Sequence, residues 1–482
     1  MKFFLKKLAF PVAFCLLVFF AIQCGQPESR KVPTTGKEMV NTTKDSSSVA
    51  DIKPDTVGNT SNKNEAFPKI SQQKRTSEIS TYLPASANQD NKLPVILFLD
   101  PHASGALPVE LYKPLADEFG YILVGSNRSH NGQTISEAFS IFEKMKNTVL
   151  ETLPANASRV YVAGFSGGSR VAAAVGGKYQ DIQSVIACGA GIGNVQNQPQ
   201  PTFDYFGIVG NEDFNMNEMI STDRMLKRAG FRNAMVIFDG GHAWPPADVM
   251  REAFWWLDLN AMKQKTLFTN QSTIANAVNW YKNELSQLIS SKRFFGAGLV
   301  AERAIKALDG LTSTDFFDKE LQQIRSKTDY QKQLAEVVGN MQKEMGMQNS
   351  YISAMTEKDT TWWKKEIRHL QDSTISKNDR LMNKRLLSYL GLIAYMFSDK
   401  AVNEQNIEAA EKFLEIYRLV EPTNPEHFFL EAKRRMLMND PVNAVAYLKL
   451  ATILGFSDRD RILQEPLFES LSGNQDFKGL FR

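Results

Sequence analysis

The chain has 482 residues, of which 43% are hydrophobic, and its 56 Lys and Arg against 53 Asp and Glu leave a net charge of +3. That length is more than a single hydrophobic core usually supports, so two or more domains are expected. The near balance of charge gives no electrostatic basis for a nucleic-acid partner.

Read from the start, Lys2, Lys6 and Lys7 precede an apolar run over 8–22 that is closed by Cys24. The run is too short for a comfortable membrane span and has the flanks of a secretory signal. Phe20-Ala21-Ile22-Gln23-Cys24-Gly25 resembles the lipobox of bacterial lipoproteins. The resemblance implies removal of 1–23, lipidation of Cys24 and a membrane-anchored place in the cell envelope, on the periplasmic or surface side. Simple cleavage and an uncleaved anchor are the alternatives. Cys15 would leave with the signal and Cys24 would carry lipid, so Cys188 has no partner for an internal disulfide; its apolar surroundings read as inert core. Residues 24–77 are rich in Ser, Thr, Asn, Lys and Asp and poor in aromatics, which predicts a disordered tether.

Order is expected from 78. Short apolar runs at 93–99, 121–125, 159–164, 184–188, 205–209 and 234–238 predict buried strands. Between them, 136–153 carries Phe139, Phe142, Met145, Val149 and Leu150 at helical spacing, and 170–179 is a small-residue helix pattern. Strands alternating with helices predict an α/β domain over 78–262, built on a mainly parallel sheet covered on both faces.

Gly164-Phe165-Ser166-Gly167-Gly168 falls between a predicted strand and a predicted helix. In that context a G-x-S-x-G turn pushes its serine hydroxyl into the open. Glycines on either side let strand and helix close up without Cβ clashes. A serine becomes a nucleophile only with a base beside it. Of five histidines, His242 stands in Gly240-Gly241-His242-Ala243-Trp244-Pro245, directly after a predicted strand. The ring in turn needs a carboxylate to orient it. Asp213 follows the preceding strand, with its neighbour Glu212 as the alternative. No His-x-x-x-His, Cys pair or carboxylate–histidine cluster points to a metal, and no cofactor is expected. Gly189-Ala190-Gly191-Ile192-Gly193 lacks the spacing of a nucleotide fingerprint and reads as a loop beside the same edge.

On these residues, 78–262 resembles the α/β-hydrolase superfamily. Gly241 to Pro245 resembles its branch of secreted esterases related to polyhydroxybutyrate depolymerases and feruloyl esterases. The resemblance implies Ser166 as nucleophile, His242 as general base and acid, Asp213 as its orienter, and an acyl-enzyme intermediate opened by water. It also implies an oxyanion hole made by the Gly167 N–H and a second donor at His102 or Ala103, in the loop Asp100-Pro101-His102-Ala103-Ser104-Gly105. The cysteine-rich oxyanion loops frequent in that branch are missing, so the chemistry carries over and the natural ester does not. Asn127, in a polar loop over 125–132, and Trp244 stand at the same edge. Each is read either as a substrate contact or as structure, Asn127 capping a turn and Trp244 packing its ring.

From 263 to 482 the strand patterns vanish. Helices are predicted at 273–290, 298–308, 316–324, 330–344, 361–371 and 379–397, then at 407–420, 426–439 and 442–454 with Pro-containing turns between. Short turns between helices suggest stacked hairpins, and the part from 407 onward resembles tetratricopeptide repeats. Such stacks take peptides or proteins on a concave face; packing on the hydrolase domain is the alternative. Two function classes stand. One is a lipid-anchored serine hydrolase acting on a small-molecule or oligomeric ester, with a peptidase as runner-up. The other is a catalytically idle scaffold lipoprotein that binds a protein through its helical region.

Overall fold

A computed structural model describes residues 73–88, 91–192 and 202–481. The expected signal at 1–23, Cys24 and most of the 24–77 tether lie outside the described residues. Eight strands are described: β1 (Gln73–Arg75), β2 (Ile79–Tyr82), β3 (Leu93–Leu99), β4 (Ile122–Ser126), β5 (Ala155–Phe165), β6 (Ile182–Cys188), β7 (Asp204–Gly210) and β8 (Asn233–Phe238). They form one sheet in the order β1-β2-β4-β3-β5-β6-β7-β8. From β4 to β8 every pairing is parallel, while β1 and β2 add an antiparallel edge. The sheet is therefore mixed, and β1 begins ahead of the expected onset of order at 78. Its three residues are all exposed, so no apolar pattern marked it.

Strands β3, β4 and β7 are buried along their whole length because helices cover both faces, which is why they read as apolar runs. Alternate side chains feed two cores. Ile96 and Phe98 point to one with α1 (Ala106–Phe119), and Val95 and Leu97 to the other with α2 (Ile135–Thr152) and α3 (Gly167–Lys178). Helix α2 opens on a capping box in which the Thr134 side chain and Glu137 satisfy each other's backbone N–H. Two further helices complete this half, α4 (Met216–Arg228) and α5 (Ala247–Lys263), and α5 joins the first core.

That first core does not stop at 263. Ile274 and Tyr281 of α6 (Gln271–Ser290), Ala301 of α7 (Phe294–Leu308) and Phe317 of α8 (Asp315–Ser326) share it with Phe254 and Trp256 of α5. Helix α9 (Thr328–Glu357) runs well past the expected 330–344 and links two cores. Its Tyr330 belongs to the sheet's core. Its Tyr351 belongs to a second core built with α10 (Thr360–Leu370), α11 (Lys377–Asn403), α12 (Ile407–Val420), α13 (Pro425–Leu437) and α14 (Pro441–Ile453). Asn406, Asn424 and Asp440 cap α12, α13 and α14, and Pro425 and Pro441 fill first-turn positions where no N–H is required. Among the described residues no helix is long and apolar enough to cross a membrane.

Candidate active site

Ser166 lies between β5 and α3 with φ 51° and ψ −118°, a left-handed backbone that a non-glycine residue adopts at a cost. The surrounding contacts over-determine it. Its N–H donates to Cys188 O at 2.8 Å, and its carbonyl accepts from Ser169 N at 3.0 Å. A Cβ on Gly168 would stand 2.0 Å from Leu99 O, so only glycine lets α3 come this close to the end of β3.

From that turn a continuous chain of hydrogen bonds runs through three loops at the carboxyl ends of the strands. Ser166 Oγ and His242 Nε2 are 2.9 Å apart, and His242 Nδ1 and Asp213 Oδ2 are 2.9 Å apart. Asp213 is buried; its other oxygen accepts from Asn215 N at 2.8 Å, which fixes the carboxylate plane. Ser166 and His242 are only half-buried and remain open to solvent. The imidazole packs against two aromatic rings, Phe165 with centroids 4.7 Å away and Phe214 at 4.5 Å. Glu212, the alternative to Asp213, turns the other way to pair with Lys384 at 2.6 Å. Gly189 touches this cluster directly: a Cβ there would meet Asp213 Oδ2 at 3.2 Å and His242 Cε1 at 3.3 Å. Burial pushes the Cys188 thiol well up, so it stays protonated core beneath the site.

The expected oxyanion loop is built differently. Asp100 is buried, and its Oδ1 accepts from His102 N at 2.9 Å and Ser104 N at 3.2 Å. Ala103 has φ 56° and its N–H donates to Ser129 O at 2.8 Å. Both backbone donors assigned to the oxyanion hole, those of His102 and Ala103, are therefore spent inside the loop, and the assignment is corrected. The Gly167 N–H, by contrast, opens α3 and has no intrahelical acceptor.

Two further assignments change. Asn127 Nδ2 donates to Thr76 O at 2.8 Å and its Oδ1 accepts from Ser80 Oγ at 3.2 Å, so the amide ties down the edge strands instead of facing the triad. Trp244 is buried against Phe98, Tyr112 and Phe165, and its Nε1 donates to Asp100 Oδ2 at 2.8 Å. Its ring is packing, not a pocket wall.

The amide that does stand over the serine turn is Asn131. Its Oδ1 lies 1.9 Å from where a Cβ on Gly167 would be, so it occupies the side-chain space that this glycine leaves empty. Its backbone is held on both sides, N–H to Pro101 O at 2.8 Å and carbonyl against His130 Nδ1 at 2.7 Å. The sequence marks the polar loop over 125–132, but nothing in it separates Asn131 from Asn127. Two clefts of about 520 and 590 Å³ open elsewhere, where Phe119, Asp258 and Thr273 line both, and no triad residue lines either.

No protein-family model and no curated protein matches the chain. Solved structures match part of it. An S-formylglutathione hydrolase from Staphylococcus aureus is 14% identical with a TM-score of 0.32, over 37% of this chain and 89% of that one. An esterase from Pyrobaculum calidifontis is 15% identical with a TM-score of 0.30, over 36% and 77%. An acylaminoacyl peptidase from Pyrococcus horikoshii is 15% identical with a TM-score of 0.29, over 38% and 39%. At these scores the likeness adds no weight to the site, which stands on its own geometry.

Proposed function

We propose that the chain is a serine hydrolase of the carboxylic ester class, with Ser166 as nucleophile, His242 as general base and acid, and Asp213 as the carboxylate that orients the ring. The observation that carries this is the unbroken hydrogen-bonded line from Ser166 Oγ through both ring nitrogens to Asp213. In the first step His242 Nε2 accepts the hydroxyl proton while Oγ bonds to the acyl carbon. Asp213 holds Nδ1–H toward itself, which leaves Nε2 free to accept, and it stabilises the imidazolium that forms. The ring then delivers the proton to the departing alkoxide, leaving an acyl-enzyme and a free alcohol. Water activated by the same nitrogen opens the acyl-enzyme.

The oxyanion formed in each half is met by the Gly167 N–H at the positive end of α3 and by the Asn131 side chain. Half a turn about the last torsion of Asn131 exchanges Oδ1 for the donor Nδ2 over Gly167. The rings of Phe165 and Phe214, packed against His242, limit how far the base can swing between the two halves of the cycle. The proposed setting is the cell envelope, with Cys24 as the lipid-bearing residue, and the helical region offers the surface for a protein partner.

Fluorophosphonate labelling followed by peptide mass spectrometry tests the assignment. One phosphonyl group is expected on Ser166 and none on Ser166→Ala. A native chain that is not labelled supports the idle-scaffold reading instead, and a label that persists in the variant removes Ser166 as the nucleophile.

A further inference from the structure

Asp213 sits at the end of a short loop that follows β7, and the far side of that loop is held by the helical half. Arg385 on α11 donates from Nη1 to the carbonyl of Asn211 at 2.6 Å. The rest of its guanidinium is fixed by Glu344 on α9, through Nε at 2.9 and 3.1 Å and Nη2 at 2.7 Å. Both side chains are buried. Next to them, Lys384 pairs with Glu212 at 2.6 Å on the surface. Met341, midway along α9, packs with Val209, Met216 and Met219, the residues that flank the loop on either side.

The grip passes on to the base. Asn211 N donates to Phe238 O at 2.8 Å, Glu212 N to Gly240 O at 2.8 Å, and Gly240 N to Asn211 Oδ1 at 3.2 Å. The loop that carries Asp213 and the loop that carries His242 are thus laced together two residues from each triad member. Asp239, at the head of the second loop, also pairs with Arg293 at the start of α7 at 3.2 Å.

We propose that Arg385, held by Glu344 and flanked by Lys384, is a positioning residue for the triad, so that the helical half completes the hydrolase site rather than serving only as a separate module. This rests on the serine-hydrolase reading of Ser166. The physical case is directional. A guanidinium is planar, and once Glu344 fills one side of the fork the direction of Nη1 is set. That nitrogen fixes the height of the Asn211 carbonyl, and through it the carboxylate two residues on. A displacement of a fraction of an ångström there lengthens the bond to His242 Nδ1 and tilts Nε2 away from Oγ, to which reactivity is steeply sensitive. The rival account is that the Arg385–Glu344 pair only joins α11 to α9.

The test uses the purified full chain, native and carrying Arg385→Ala, Arg385→Lys or Lys384→Glu. Turnover of p-nitrophenyl acetate, the rate of fluorophosphonate labelling, thermal unfolding, and the downfield proton resonance of His242 Nδ1–H are measured for each. Arg385→Ala is expected to lower kcat and the labelling rate about tenfold with KM within about twofold, and to broaden the downfield proton. Arg385→Lys, which keeps a cation for Glu344 but loses the planar fork that aims Nη1 at Asn211, recovers only part of that loss. Lys384→Glu repels Glu212 from the surface and lowers kcat about threefold without a fall in Tm. Unchanged kcat in folded Arg385→Ala overturns the proposal. Should that variant not fold, unchanged kcat in Lys384→Glu overturns it just as well. A native chain that is inert toward both probes, yet whose downfield proton still depends on Arg385, sinks the hydrolase reading and leaves the positioning intact.

Discussion

The indole Nε1 of Trp244 donates to Asp100 Oδ2 at 2.8 Å, joining residues 144 positions apart in the chain. Trp244 stands two residues after His242, and Asp100 closes β3 and folds the loop that accepts Asn131 N through Pro101 O. A single buried carboxylate therefore registers the His242 loop against the loops over the serine turn.

Removing that carboxylate strands three donors. Asp100→Ala leaves His102 N and Ser104 N, which are partly buried, and the buried Trp244 indole without their acceptor. The expected loss is about 2–3 kcal/mol of stability, read as a lower urea midpoint with an unchanged m-value. Trp244→Phe keeps the ring packing and should cost about 1 kcal/mol.

Asn131→Ala tests the assignment of the side-chain oxyanion donor. Its amide is exposed, so the fold should be unaffected, while kcat for an activated ester falls about a hundredfold and KM stays nearly constant. His102→Ala is expected to leave kcat within about twofold, because the backbone N–H of this residue is already committed to Asp100.

Gly189 carries φ 67°, and a Cβ there would press on the Phe165 ring at 2.8 Å as well as on the triad. Gly189→Ala should cost about 1–3 kcal/mol through backbone strain. It should also slow labelling of Ser166 by more than tenfold, about as much as a shift of the imidazole by a fraction of an ångström would cost.

Acid should loosen the second core through His427. Burial pushes its imidazole down to about 4, and its Nδ1 has no hydrogen-bond partner among the described residues. The ring packs edge-on against Tyr417 and Phe428. Between the ordinary value of about 6.5 and about 4 the unfolded chain binds the proton and the folded chain does not. Stability is thus fully present above about 6.5 and is lost as pH falls toward about 4. Urea titrations should show His427→Phe gaining on the native chain by up to about 3 kcal/mol between those limits, and a constant difference would remove the residue from the account.

Much of this was legible in the sequence because the decisive signals are local. Each of the six parallel strands contains a short apolar run, and the serine turn is five adjacent residues set between a strand and a helix. Asp213 and His242 were readable because each follows directly on a strand. The rest depends on contacts that local pattern does not encode. Asn127 and Asn131 are four residues apart in one polar loop, and only the pairing of β2 with β4 sends the first amide to the sheet edge. Helix α5 is buried nearly all round, so it has no polar stripe to give it a helical period. Helix α1 carries Pro114 in its interior, which reads as a break. The core shared by the sheet and α6 to α8 gathers residues as far apart in the chain as Trp256 and Phe317 into one cluster, which no spacing rule supplies.

Pre-steady-state turnover of p-nitrophenyl acetate tests the central claim most directly. The native chain should release a burst of nitrophenolate close to one equivalent per chain, with the acetyl group found on Ser166 after acid quench. Linear release from the first turnover, with no acetyl on Ser166 and the same rate in Ser166→Ala and His242→Ala, would contradict it.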